Sequence, residues 1–317
     1  IGDRSLCKNT ASNNTAIGHA SLINNTSGTS NVAVGVSSLN KNTTASNNTA
    51  VGFCSLFTNT TGAENTATGH EALKSNTTGN YNVAIGRYSL QANTTASDNT
   101  SVGTFSLDAN TTGSQNTAIG RSSLSTNSTG ANNTAVGYIS LFSNTTGTDN
   151  TAVGRCSMYT TTTGGCNVAM GNNALRYNTT GGCNTALGRD ALYNNTTGFR
   201  NTALGGNALC SNTTAPDNMA IGFCAMHTNT TGGDNISIGN FSLGSNTSGN
   251  NNLALGLSSL CGNTTGCYNH ALGRSALRCN TTACNNTAVG YASLCANTTG
   301  ASNTAVGLNA GLSQTTG

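Results

Sequence analysis

Apolar residues recur at two fixed places in a seventeen-residue unit that runs the length of the chain. Positions are counted from the Asn that opens each unit: Asn14, Asn31, Asn48 and onward to Asn303. Position 4 is Val, Ile, Leu or Met everywhere except Thr68, and position 9 is Leu or Met until Gly311. Position 5 is always Gly, from Gly18, Gly35, Gly52 and Gly86 to Gly307, and position 15 is Gly or Ala. A period of this size marks a module that buries its apolar side only by stacking on copies of itself. Glycines so spaced punctuate corners, because Gly takes positive φ without strain.

Between the corners, Asn-Thr-Ala-Val reads as an extended stretch with Thr and Val on one face and Asn and Ala on the other. The Ser-Leu stretch is a second candidate strand. No segment holds apolar residues at helical spacing, and Asn, Thr and Gly are poor helix formers. The pattern therefore predicts an all-β protein: a single-layered parallel β-solenoid, or β-roll, with one repeat per coil and eighteen coils continuous over residues 1–317. Like positions would stack about 4.8 Å apart. The expected core is a pair of ladders, Val34, Val51 and Ile85 in one and Leu39, Leu56 and Leu90 in the other. Asn at positions 1 and 12 is expected to form amide ladders, each side chain bonding its copy one coil away. The chain starts within a unit, at Ile1-Gly2, and stops at the end of one, at Gly317, which reads as a window on a longer array.

Composition sharpens this picture. Charged residues make up 7% and aromatics 5%, with no Trp and one Pro, so a deep globular core is excluded and a thin one is implied. The twelve Lys and Arg are scattered and form no run, which argues against a nucleic-acid partner. No stretch of about twenty apolar residues is present, so no membrane insertion is expected. The nine Asp and Glu never recur in phase with a His, and His70-Glu71 are adjacent rather than convergent. No catalytic constellation, phosphate loop, cofactor or metal motif emerges, and the chain reads as a non-enzyme.

Twelve Cys is a high count, and their phases carry information. Cys166 and Cys183 share position 17 of successive units, and Cys267 and Cys284 share position 16. Stacked Cα atoms one coil apart fall within disulfide range, roughly 4.4–6.8 Å. These pairs, with a further bridge among Cys261, Cys279 and Cys295, are disulfide candidates and would place the chain in an oxidising compartment. Position 12 opens an Asn-x-Ser/Thr sequon in every unit from Asn25 to Asn297 except at Thr161. Asn42, Asn59, Asn76, Asn93, Asn110, Asn144, Asn178, Asn195, Asn229, Asn263, Asn280 and Asn297 are accordingly candidate sites for covalent glycans. The competing reading is that a repeat of stacked Asn and Thr generates sequons of itself, and that glycans on every coil would crowd.

The string Asn-Thr-Ala-Val-Gly, two residues, Ser-Leu, then a Gly turn resembles the head repeats of trimeric autotransporter adhesins, and similar runs look like parts of phage tail fibres. The resemblance implies a left-handed β-roll displayed outside the cell, on a cell or virion surface. Three additional residues around Asn-Thr-Thr-Gly depart from that family's shorter unit. Variation concentrates at positions 6, 7, 10 and 11, where Arg87, Arg121, Tyr138, Arg155, Phe223 and Tyr291 form a possible interface. The expected function is an extracellular structural fibre built by self-association. The alternatives are the shaft of an adhesin or tail fibre and, more remotely, an ice-binding solenoid. The last wants Thr-x-Thr on one flat face, whereas the Thr-Thr pairs here are adjacent and beside a corner.

Overall fold

The computed structural model describes residues 2–316; Ile1 and Gly317, the ends of the expected array, lie outside the described residues. Among the described residues it is all-β, with eighteen three-residue strands and no helix, and it is a β-solenoid with one coil per repeat. The chain forms two compact units, Ile1–Cys156 with Thr160–Thr163, and Ser157–Tyr159 with Gly164–Gly317. The first carries strands β1 (Thr15–Ile17) to β9 (Thr151–Val153) and the second β10 (Val168–Met170) to β18 (Thr304–Val306). Within each unit, successive strands pair in parallel and in strict register, as in Thr117↔Thr134, Ala118↔Ala135 and Ile119↔Val136.

Only positions 2 to 4 count as strand, yet backbone bonding continues around the coil. In the coil opened by Asn48, Thr49 N–H donates to Asn65 O (2.9 Å), Gly52 to Val34 O (2.7 Å), Cys54 to Val36 O (3.0 Å) and Leu56 to Ala72 O (2.9 Å). Donation thus alternates between the coil before and the coil after, so buried peptide groups are satisfied without regular strands.

The corner at position 5 needs glycine for two reasons. Gly52 has φ +133, and a Cβ there would sit 2.4 Å from Gly69 O of the next coil. Other corners use left-handed residues that are not glycine. Positions 7, 9 and 17 have φ near +50 to +60 throughout, as at Cys54 (50°), Leu56 (50°) and Glu64 (60°). This conformation explains the residue choice. β-Branched side chains are strongly disfavoured there, and position 9 is accordingly Leu or Met, never Val or Ile. Position 17 draws heavily on Asn and Asp, the residues that tolerate the left-handed region best.

The core corrects one expectation. Leu39, Leu56 and Leu90 are fully buried, as expected, but Val34 and Val51 are half-buried and Ile85 is 41% exposed. Ala at position 3 faces inward instead, at 0% exposure from Ala33 onward in most coils. The strand alternates as the pattern predicts, but the opposite face turns inward. Each coil has room for one large side chain, Leu at position 9, and the opposite wall must be small. Where that wall carries Ser in place of Ala, the hydroxyl finds Ser across the core: Ser101 Oγ lies 2.6 Å from Ser106 Oγ, and Ser237 pairs with Ser242 in the same way.

Candidate functional site

Side chains that point inward are committed to holding the coils together. At position 12, Asn93 Nδ2 donates to Asn76 Oδ1 (2.9 Å) and to Ala96 O (3.0 Å), while its own Oδ1 accepts from Asn110 Nδ2 (3.1 Å). At position 1, Asn65 Oδ1 accepts both the backbone N–H (3.0 Å) and Nδ2 (3.1 Å) of Asn82. Thr at position 13 donates to the next coil's carbonyl, as in Thr43 Oγ1 to Thr60 O (3.1 Å).

These ladders overturn the glycan assignment. Asn42, Asn59, Asn76, Asn93, Asn110, Asn144, Asn178, Asn195, Asn229, Asn263, Asn280 and Asn297 all have 0% exposure. A glycan requires Nδ2 in solvent, and there it lies in the wall of the stack bonded to the carbonyl of position 15. Sequons at position 17 are placed differently: Asn47, Asn132 and Asn285 are exposed.

No disulfide is present among the described residues, so the bridges expected for Cys166–Cys183, Cys267–Cys284 and the trio Cys261, Cys279 and Cys295 are not formed. At position 16 the geometry shows what the sulfur does instead. Cys284 Sγ accepts the backbone N–H of Cys267 (3.1 Å), and Cys267 Sγ accepts that of Asn250 (3.3 Å). In other coils Ser46 Oγ and Asn80 Oδ1 serve the same purpose (3.0 and 2.7 Å). Burial raises the Cys261 and Cys295 thiols above their ordinary pKa, and it pushes Cys210 up to about 11, with Asp190 and Cys224 adding to the rise. Protonated thiols are poor nucleophiles for disulfide exchange.

The outward surface consists of columns, one per coil position. The position-6 column contains the predicted interface residues, and all six are exposed: Arg87, Arg121, Tyr138, Arg155, Phe223 and Tyr291. The structure stacks several of them on their neighbours. Arg121 lies 5.9 Å from the Tyr138 ring centre, Arg87 4.5 Å from that of Tyr88, and Phe223 meets Phe241 edge-on at 5.6 Å. A further run, Phe53, His70, Tyr88 and Phe105, stacks with centroids 5.2–5.3 Å apart. On other columns some charges pair between or within coils. Arg200 grips Asp217 of the next coil through two bonds of 2.6 and 2.7 Å, which holds that carboxyl below its usual range.

No family model matches the chain, and comparison with curated proteins finds no relative. The surface itself must carry the functional argument.

Its least expected part is the strand face. Positions 2 and 4 point outward in every coil, and among them only His270 is titratable. The two units differ along this face. In the second, positions 2 and 4 of β13 (Met219–Ile221) to β16 (His270–Leu272) hold Met219, Ile221, Ile236, Ile238, Leu253, Leu255, His270 and Leu272. Met219, Ile236 and Leu255 are 38–42% exposed. Beside them is a shallow cleft of about 360 Å³ lined by Asp234, Ile236, Asn251, Asn252, Leu253, Tyr268 and His270. Sequence reasoning missed this face because it assigned the large aliphatic residues to the core. The signal was available: Ala at position 3 is nearly invariant from coil to coil, whereas position 4 drifts among five residue types. Among the described residues no group of three His, Cys, Asp or Glu is placed to hold a metal ion, and no helix is long and apolar enough to cross a membrane.

Proposed function

We propose that this chain is a non-enzymatic structural protein of an extracellular fibre, in which stacked coils supply length and the exposed sheet face of the second unit binds further copies. The observation that carries the reading is the run of large aliphatic side chains facing outward on β13 to β16, with Phe223 and Phe241 (49% and 44% exposed) beside it. Contiguous apolar surface of a few hundred Å² on a soluble protein usually marks a contact site. The four strands β13 to β16 at about 4.8 Å spacing give a strip about 20 Å long, and at roughly 10 Å of width its area is about 200 Å², which Phe223 and Phe241 extend. Met adapts its shape to a partner, and the Tyr, Phe and Arg of position 6 are the residue types favoured in interfaces. Placement outside the cell follows from the resemblance to surface-fibre repeats.

The test is negative-stain imaging of the purified chain beside Ile236→Lys/Leu255→Lys. Both side chains point outward, so the fold should survive, which circular dichroism would verify. The wild type should polymerise and the variant should remain as discrete particles. Monodisperse single chains of the wild type at high concentration would contradict the assembly and favour a shaft carrying a recognition module elsewhere.

A further inference from the structure

The strand face of the first unit has a different chemistry from that of the second, and it points beyond assembly. Positions 2 and 4 of β1 to β9 comprise eighteen side chains: eight Thr, seven Val and three Ile, every one β-branched. Strand propensity favours such residues, but a surface selected only for strand formation and solubility also recruits Lys, Glu, Gln and Arg. None occurs at these positions. β-Branched side chains are stiff at χ1, so the methyl and hydroxyl groups are held in place before anything binds.

The hydroxyls separate two possible occupants. Position-13 threonines spend theirs on the next coil's carbonyl, as Thr77 Oγ1 does on Thr94 O (2.9 Å). Position-2 threonines such as Thr100, Thr117 and Thr134 bond through their backbone only, and their hydroxyls face out. Pressing a row of such hydroxyls into a dry interface with a second copy would strip their water without replacement, at a cost of about 1–3 kcal/mol for each unpaired group. Ordered water avoids that cost and still covers the methyl groups. The spacing also fits. Two oxygens bonded to one tetrahedral water lie about 4.6 Å apart when each O···O distance is about 2.8 Å. Successive coils repeat at about 4.8 Å. A water lattice can therefore run along the hydroxyl column with little distortion. The Asn ladders behind the face keep the sheet in unbroken register, and side-chain ladders are among the devices that hold many-stranded sheets flat.

We propose that the strand face of the first unit binds ice, with the position-2 hydroxyls anchoring lattice water and the position-4 methyls filling the lattice openings. The proposal goes beyond assembly and uses a different unit from it. The adjacent Thr-Thr pairs that argue against ice binding at the corner are irrelevant, since the active column is Thr-x-Val/Ile on the strand.

The experiment compares the full chain with three variants by capture into a slowly growing ice shell and by thermal hysteresis. Thr117→Lys/Ile119→Lys places two long charges at the centre of the face. Thr112→Lys places one on the exposed position-14 column as a control. Ile119→Thr keeps the β-branch and adds a hydroxyl. The wild type should enter ice and show hysteresis, with Thr112→Lys and Ile119→Thr close to it and the double variant reduced by about tenfold, as for removal of a central anchor. Val136→Lys reports on the same face independently if the double variant folds poorly. Exclusion of the wild type from ice, or equal loss in Thr112→Lys, would overturn the proposal. So would a double variant that still enters ice but no longer polymerises. The Ile236→Lys/Leu255→Lys variant should retain ice capture, so failure of assembly and failure of ice binding are read separately.

Discussion

A single φ angle explains much of the residue choice in this chain. Position 7 is left-handed in every coil and is filled by residues without a β-branch, with one exception, Ile139 at φ 49°. An isoleucine there meets its own backbone, whereas Asn, which occupies this position at Asn173 and Asn207, tolerates the region through local bonding. Ile139→Asn is therefore expected to stabilise the fold by about 1 kcal/mol, read as a higher denaturant midpoint at unchanged slope. A lower midpoint would show that side-chain packing outweighs the backbone term. The same angle accounts for what was illegible in the sequence. Leu at position 9 and Val or Ile at position 4 look equally like core when only hydrophobicity is considered. Branching at Cβ tells them apart: Leu39, branched only at Cγ, is inside on a left-handed residue, while the β-branched Val34 lies on the outer face of a strand.

At the scale of the element, coil geometry and period were legible because Gly and Leu repeat without insertion, and the amide ladders followed from Asn recurring in phase. The roles of sulfur and of the sequons were not, because both depend on which way a side chain leaves the coil. The strength of the ladder is exposed where it is interrupted. Thr161 stands at position 12, where the other coils from Asn25 to Asn297 have Asn, and the Asn144 Oδ1 that would accept from it is buried without a partner, as is Thr161 Oγ1. Thr161→Asn gives that oxygen a donor and should stabilise the chain by about 1 kcal/mol. The converse change, Asn93→Ala, removes one link: it orphans Asn76 Oδ1, while Ala96 O still accepts from Asn82 Nδ2 and Asn110 Nδ2 still donates to Gly113 O. It should cost about 2 kcal/mol, since one buried acceptor is left without a donor. Chemical denaturation of the pair checks both signs. If Thr161→Asn is neutral, the amide is not what joins the coils.

For the molecule as a whole, the source of stability decides how the chain responds to its surroundings. Composition suggests cross-links, yet the coils are joined by backbone bonds around the circuit and by amide ladders, that of position 12 interrupted at Thr161, with no sulfur bridge among the described residues. In a stacked-repeat protein, stability is approximately the sum of repeat and nearest-neighbour terms, and here each neighbour term includes a fully buried Leu contributing about 2 kcal/mol and buried Asn links. None of these terms is sensitive to redox potential. Melting curves recorded with and without a thiol reductant should therefore coincide, and a substantial fall in midpoint under reductant would reveal bridges that the stacked thiols had formed. Surface chemistry follows the same division. The exposed Asn47, Asn132 and Asn285 can carry glycans without disturbing the stack, whereas position 12 cannot. Folded protein recovered from a eukaryotic secretory host should therefore show peptide-mapped glycans at exposed sequons, those of position 17 and Asn240, and none at position 12. Occupancy at Asn93 or Asn110 in a natively folded sample would mean that the amide wall had opened, and with it the account of what joins one coil to the next.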